Sequence, residues 1–158
     1  MTRKDPMTIR FTEQEEPIVT RAAEPAVRAK RVLLAEDDAD MRGMLAAALR
    51  LDHHEVVEAR DGRELLERFS ASRVAGLPVD VIITDLRMPK LTGLQVLREL
   101  HNAKYRIPVI LITAFGDHGT HIDAWLLGAA AVLDKPFEVE DLRRLVRNLG
   151  KRQAEPEL

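Results

Sequence analysis

Five short apolar runs recur through the middle of this chain, each followed by a stretch of helical periodicity, and that alternation constrains the fold more than any other feature. The runs are Val32-Leu33-Leu34-Ala35, Val56-Val57, Val81-Ile82-Ile83-Thr84, Val109-Ile110-Leu111-Ile112-Thr113 and Ala131-Val132-Leu133. Several are apolar without a break, as strands covered on both faces must be. Between them, Met41, Met44, Leu45 and Ala48 repeat at helical spacing, and Leu142, Leu145, Val146 and Leu149 do so near the end. Asp38 is placed to cap the first helix, and Asp61-Gly62-Arg63-Glu64 and Thr92-Gly93-Leu94-Gln95 read as capping boxes ahead of two others. Five such pairs predict an α/β fold, an open doubly wound parallel sheet of (βα)5 type.

The alternation occupies about residues 30–150. Residues 1–29 carry Pro6, Pro17, Pro25 and the cluster Glu13-Gln14-Glu15-Glu16 without a sustained apolar period, and read as a disordered extension. A brief alternation at Thr8-Ile9-Arg10-Phe11-Thr12 is too short to argue a strand. Residues 151–158 read as a polar tail that leaves no space for a second core. Across the 158 residues there is no cysteine, which excludes disulfides and thiolate metal sites. The apolar runs fall far short of the roughly 20 residues a membrane helix needs, and no signal-peptide pattern follows Met1, so a cytoplasmic protein is expected. The 24 basic and 26 acidic residues are interspersed, which argues against direct nucleic-acid binding.

In a doubly wound sheet, ligands sit beyond the carboxyl ends of the strands, and here those ends are polar. The first run leads into Glu36-Asp37-Asp38, the third into Asp85, the fourth ends at Thr113 and the fifth leads into Asp134-Lys135-Pro136-Phe137. Glu36, Asp37 and Asp85 brought into one cleft require a cation. All-oxygen ligands suit a hard divalent ion, magnesium first, and Lys135 adds positive charge. A carboxylate beside a metal, an ammonium and a hydroxyl can accept a phosphoryl group. Asp85 is the best nucleophile, because it stands alone on a central strand, whereas Glu36 and Asp37 form an adjacent pair suited to holding metal.

Leu34-Ala35-Glu36-Asp37-Asp38, Asp85-Leu86-Arg87-Met88-Pro89 with Gly93, Thr113-Ala114 and Lys135-Pro136-Phe137 together resemble the receiver domain of two-component response regulators. The resemblance spans roughly residues 30–150. It implies a flavodoxin-like sheet of strand order 2-1-3-4-5 and phosphorylation of Asp85 by a sensor histidine kinase or histidine phosphotransfer protein. It further implies magnesium held by Glu36, Asp37, Asp85 and the backbone carbonyl of Arg87, phosphoryl contacts from Thr113 and Lys135, and a cis Lys135–Pro136 bond. On this reading the chain is a single-domain response regulator acting through a downstream protein target or a second copy of itself. It is a phosphoacceptor module rather than an enzyme acting on external substrates.

The sequence departs from that family in one place. Many receivers carry an aromatic residue three positions before the lysine, where this chain has Val132, so an aromatic rotamer switch in its usual form is absent. Arg87 and Phe115 stand two residues beyond the aspartate and the threonine, where they would slow loss of phosphate. Trp125, in a stripe with Ile122, Leu126 and Ala129, reads first as packing at the core edge and second as a partner anchor. His53 and His54 read as a solvated turn, His118 and His121 share a helix face without a third ligand, and His101 ends a helix. Two alternatives remain. A hydrolase built on Asp85 is opposed by Arg87, where such enzymes favour a second aspartate. A degenerate receiver serving as a phosphate-independent scaffold is suggested only by Val132.

Overall fold

In a computed structural model of the chain, residues 29–114 and 118–153 are described. Residues 1–28 of the predicted extension, Phe115-Gly116-Asp117 and residues 154–158 lie outside them. Among the described residues five strands alternate with five helices: β1 Arg31–Ala35, α1 Ala39–Leu51, β2 Glu55–Ala59, α2 Gly62–Val74, β3 Val81–Asp85, α3 Gly93–Asn102, β4 Val109–Thr113, α4 His118–Leu126, β5 Ala131–Asp134 and α5 Val139–Gln153. All pairings are parallel, in the order β2-β1-β3-β4-β5. The expected flavodoxin-like (βα)5 sheet is therefore the one observed.

Alternate residues of each strand feed two separate cores. Leu33, Ala35, Ile82, Val109 and Leu111 pack with Leu65 and Phe69 of α2, Val96 and Leu97 of α3, and Ala124 of α4. Val32, Leu34, Ile83, Ile110 and Ile112 pack with Leu45 and Leu49 of α1 and Leu142 and Val146 of α5. Both faces of β3 and β4 are buried throughout, which is why those runs carry no polar alternation.

The caps follow the sequence closely. Asp38 accepts from the Asp40 and Met41 amides. Thr92 and Gln95 form a reciprocal capping box. Asp61 accepts from the Glu64 amide, but the Glu64 carboxylate returns its bond to the Arg60 amide, one residue before the cap. That bond is the leading cause holding the Glu64 carboxyl down to about 2.

Two apolar stripes differ from expectation. In α1 the inward residues are Leu45, Ala46 and Leu49, while Met44 is half exposed. In α4, Ile122, Trp125 and Leu126 are 57%, 58% and 74% exposed, and the inward contact is made by Ala124. Trp125 therefore does not pack at the core edge. The stripe in α5 is oriented as expected, with Leu142 and Val146 fully buried. Among the described residues no helix is long and apolar enough to cross a membrane.

Candidate functional site

Strand register sets the site. Ala35 pairs with Thr84, so the residues that follow them, Glu36 and Asp85, leave β1 and β3 side by side. Asp85 pairs with Ile112 and is followed across the ladder by Thr113, which pairs with Asp134, the residue before Lys135. Hydrogen bonds past the strands hold these exits: Glu36 N–H donates to the Ala59 carbonyl at 3.1 Å, Leu86 N–H to Ile112 at 2.7 Å and Lys135 N–H to Thr113 at 2.7 Å. Four motifs far apart in sequence thus meet at one edge of the sheet.

Carboxylate oxygens of Glu36, Asp37 and Asp85 lie within 4.8 Å of one another. Glu36 and Asp85 are buried and Asp37 is exposed. The Lys135 ammonium donates to Asp85 Oδ2 at 2.9 Å and stands 3.6 Å from Glu36 Oε1. Asp85 Oδ1 accepts from the Arg87 amide at 3.2 Å. Glu36 Oε2 accepts from the Asp38 amide at 3.1 Å, whereas Glu36 Oε1 is buried without a hydrogen-bond partner. Burial, and then the Asp85 carboxyl beside it, raise the Glu36 carboxyl to about 7, against the opposing pull of the Asp38 amide and Lys135. Burial works against the charge on Lys135, yet Asp85 and Glu36 hold its proton more tightly than an ordinary lysine does.

This arrangement fits a hard cation. Three carboxylates face one ammonium, an orphaned carboxylate oxygen is buried among them, and every donor is oxygen. A glycine keeps the loop after Asp85 tight: a Cβ on Gly93 would stand 2.5 Å from the Asp85 carbonyl oxygen. The Gly93 amide meanwhile donates to the Leu86 carbonyl at 2.8 Å.

Thr113 is buried at the end of β4 and Arg87 is exposed after β3. Val132 is half-buried against the core on the α2–α4 side of the sheet. The Lys135–Pro136 bond is cis, as the resemblance implies. Phe115, paired with Arg87 in the reading on phosphate loss, lies outside the described residues.

Three further contacts were not legible in the sequence. Arg42 donates to the Glu36 carbonyl at 2.7 Å and to the Glu58 carboxylate at 3.2 Å, tying α1 to the site's first strand and to β2. His121 Nε2 stands 3.0 Å from Asp134 Oδ1, joining α4 to β5 beside the site. His54 is not solvated: it is 4% exposed and accepts the Lys30 amide on Nδ1. These partners are separated by as many as 24 positions, and no local spacing rule relates them.

Residues 32–147 match the response regulator receiver domain family. The chain is 34% identical over 124 residues to Regulatory protein AtoC of Escherichia coli strain K12, covering 78% of this chain and 26% of that protein. It is 36% identical over 121 residues to Response regulator RR06 of Streptococcus pneumoniae serotype 2, covering 77% and 53%. The chain thus spans about half or less of these relatives. Among solved structures, a response regulator receiver domain protein from Clostridium thermocellum superposes with a TM-score of 0.72 at 31% identity, covering 78% of this chain and 96% of that one. The chemotaxis response regulator CheY4 of Vibrio cholerae does so at 0.68 and 28%, covering 77% and 99%. With the fold, the acid cluster and these likenesses in agreement, the chain belongs to the response regulator receiver family, the receiver domain of two-component systems.

Proposed function

We propose that this receiver accepts a phosphoryl group on Asp85 from a phosphohistidine of a sensor kinase or phosphotransfer protein, and that the acyl phosphate alters its contacts with a downstream protein. The observation that carries this reading is the Asp85 carboxylate held 2.9 Å from the Lys135 ammonium, beside a buried Glu36 oxygen that has no hydrogen bond. An oxygen of Asp85 attacks phosphorus, the bond from phosphorus to the donor imidazole nitrogen breaks, and that nitrogen keeps the electron pair and takes up a proton. Magnesium held by Glu36, Asp37, Asp85 and the Arg87 backbone carbonyl would neutralise charge on the phosphoryl oxygens. Lys135 holds the reacting carboxylate in place and then pairs with a phosphoryl oxygen, and the Thr113 hydroxyl donates to another.

The downstream contact is read onto the exposed face of α4. Ile122, Trp125 and Leu126 lie there, and Trp125 has the character of an anchor residue at an interface. Val132 packs against the core cluster that includes Ala124 of that helix. With no aromatic ring there, movement of Thr113 carries the signal.

The test is mass spectrometry after treatment with a small-molecule phosphodonor and magnesium, with Trp125 fluorescence read during titration with beryllofluoride. One added phosphoryl group and a saturable, magnesium-dependent fluorescence change are expected, both lost in Asp85→Asn. No adduct and no response would make the chain a phosphate-independent scaffold.

A further inference from the structure

A groove of about 390 Å3 opens at the end of the sheet opposite Asp85, where the strands begin. Leu100, Ile107, Val109 and Leu127 line it, and Leu149 of α5 closes one side. Arg106 is exposed at its edge and gives that rim a positive charge, with His101 exposed beside it. The groove takes no part in the chemistry at the carboxyl edge, and an apolar floor with a basic rim is suited to an acidic, apolar peptide.

The chain itself enters the fold at this same end. Lys30, just before β1, donates through Nζ to the Arg147 carbonyl of α5 at 3.5 Å, two residues short of Leu149 in the groove wall. Only β3 separates β1 from β4, whose first residue Val109 lines the groove, so the lateral distance is roughly 10 Å at ordinary strand spacing. The residues before Ala29 include Ile18 and Val19, preceded by Glu13, Glu15 and Glu16. Ten peptide units link Val19 to Ala29 and can extend about 33 Å, several times the distance required.

We propose that residues 13–19 of this chain dock in this groove, with Ile18 and Val19 on the apolar floor and the glutamates facing Arg106. Tethering through so short a linker supplies a local concentration of roughly millimolar order, so a contact of modest intrinsic affinity is populated. Residues 154–158 contain one large apolar side chain, Leu158, and offer the groove floor less than Ile18 and Val19 do. Occupied in this way, the groove joins the entry to β1 to the connections before β4 and β5. The N-terminal residues then brace the edge of the sheet remote from phosphorylation.

Because the chain has no cysteine, introduced pairs report proximity directly. Thr20→Cys combined with Asn102→Cys, at the exposed end of α3, is treated with a short bismaleimide. The comparison pair is Thr20→Cys with Asp40→Cys, exposed in α1 at the opposite edge. The expected result is intramolecular linkage to position 102 at least about tenfold faster than to position 40, slowing as salt screens the charges. Arg106→Glu, at an exposed position, should reduce that advantage several-fold. Reversing Glu13, Glu15 and Glu16 to lysine in the same chain should restore it. Equal rates for the two pairs, or indifference to Arg106→Glu, would overturn the proposal. So would linkage only between two chains, which would assign the groove to a second copy, or faster capture of position 102 by Leu158→Cys than by Thr20→Cys.

Discussion

Lys135 Nζ lies 2.9 Å from Asp85 Oδ2, which places a cation from the tip of β5 on the carboxylate at the tip of β3. The same ammonium stands 3.6 Å from Glu36, so it answers two buried acids at once. On the proposed chemistry its larger role comes as charge builds on the phosphoryl oxygens. Lys135→Ala should slow phosphorylation by a small phosphodonor about a hundredfold, the scale of losing one oriented charge donor in a partly buried site. Magnesium binding should persist, because lysine supplies no ligand oxygen. Rates from mass spectrometry, set beside magnesium titration of the same variant, separate the two effects.

Asp37 is the exposed member of the acid cluster, so it can be removed without opening the core. If it helps hold magnesium, a tenfold excess of the ion over its Kd stabilises the wild type by about 1.4 kcal/mol. Thermal unfolding should show that gain as a rise of a few degrees in Tm with millimolar magnesium. Asp37→Ala should lose most of it while keeping the metal-free Tm within about a degree or two. An equal rise in both proteins would remove Asp37 from the ligand set.

What the sequence made legible was mostly what local periodicity and motif order can carry. The runs at Val81 to Thr84 and Val109 to Thr113 mark the central strands because both their faces are covered. Strand order came from the resemblance, since crossovers leave no trace in spacing. The phase of α1 was ambiguous for a physical reason: Met44-Leu45-Ala46-Ala47-Ala48-Leu49 is apolar all round, and Leu45, Ala46 and Leu49 form the face that turns inward. In α4 the small Ala124 meets the core while the larger Trp125 faces out, an inversion that hydrophobicity alone does not show. His54 looked like part of a solvated turn. Its burial depends on the Lys30 amide, supplied by a segment that becomes its neighbour only when β1 and β2 pair.

Gly93 begins α3 directly against the backbone of Asp85. A methyl group there would meet the Asp85 carbonyl oxygen at 2.5 Å and the Leu86 Cα at 3.0 Å, and neither belongs to a side chain that can swing away. Gly93→Ala should therefore cost about 1–3 kcal/mol of stability, measured by urea unfolding. It should also slow phosphorylation of the residual folded protein by displacing Asp85. A variant as stable and as reactive as the wild type would show that this loop relaxes freely.

Trp125 is 58% exposed, so its replacement by alanine leaves no cavity of the kind that makes core truncations costly. Trp125→Ala should change stability by about 0.5 kcal/mol or less and leave phosphorylation by a small donor unaltered. Binding to a downstream partner should weaken at least about tenfold, as truncation of an aromatic anchor does. A loss of several kcal/mol in stability would instead assign the ring to the core.

His54 gives stability a pH dependence whose sign follows from its surroundings. Burial first, and then the nearby Lys30 charge, depress its pKa below the ordinary 6.5; Arg147 acts in the same direction, while Asp52 and Asp80 oppose it. Its Nδ1 accepts the Lys30 amide and its Nε2 is buried without a partner, an arrangement that suits the neutral ring. The unfolded chain therefore takes up the proton first. The contribution of His54 is fully present above pH 6.5 and is lost as pH falls below it, with a limiting slope of about 1.4 kcal/mol per pH unit until the folded ring titrates. His54→Asn keeps a side-chain acceptor for the Lys30 amide but cannot titrate. Urea unfolding at stepped pH between about 7.5 and 5 should show this slope in the wild type and its reduction in the variant. Parallel profiles would mean that other carboxylates and histidines set the acid limit of this fold.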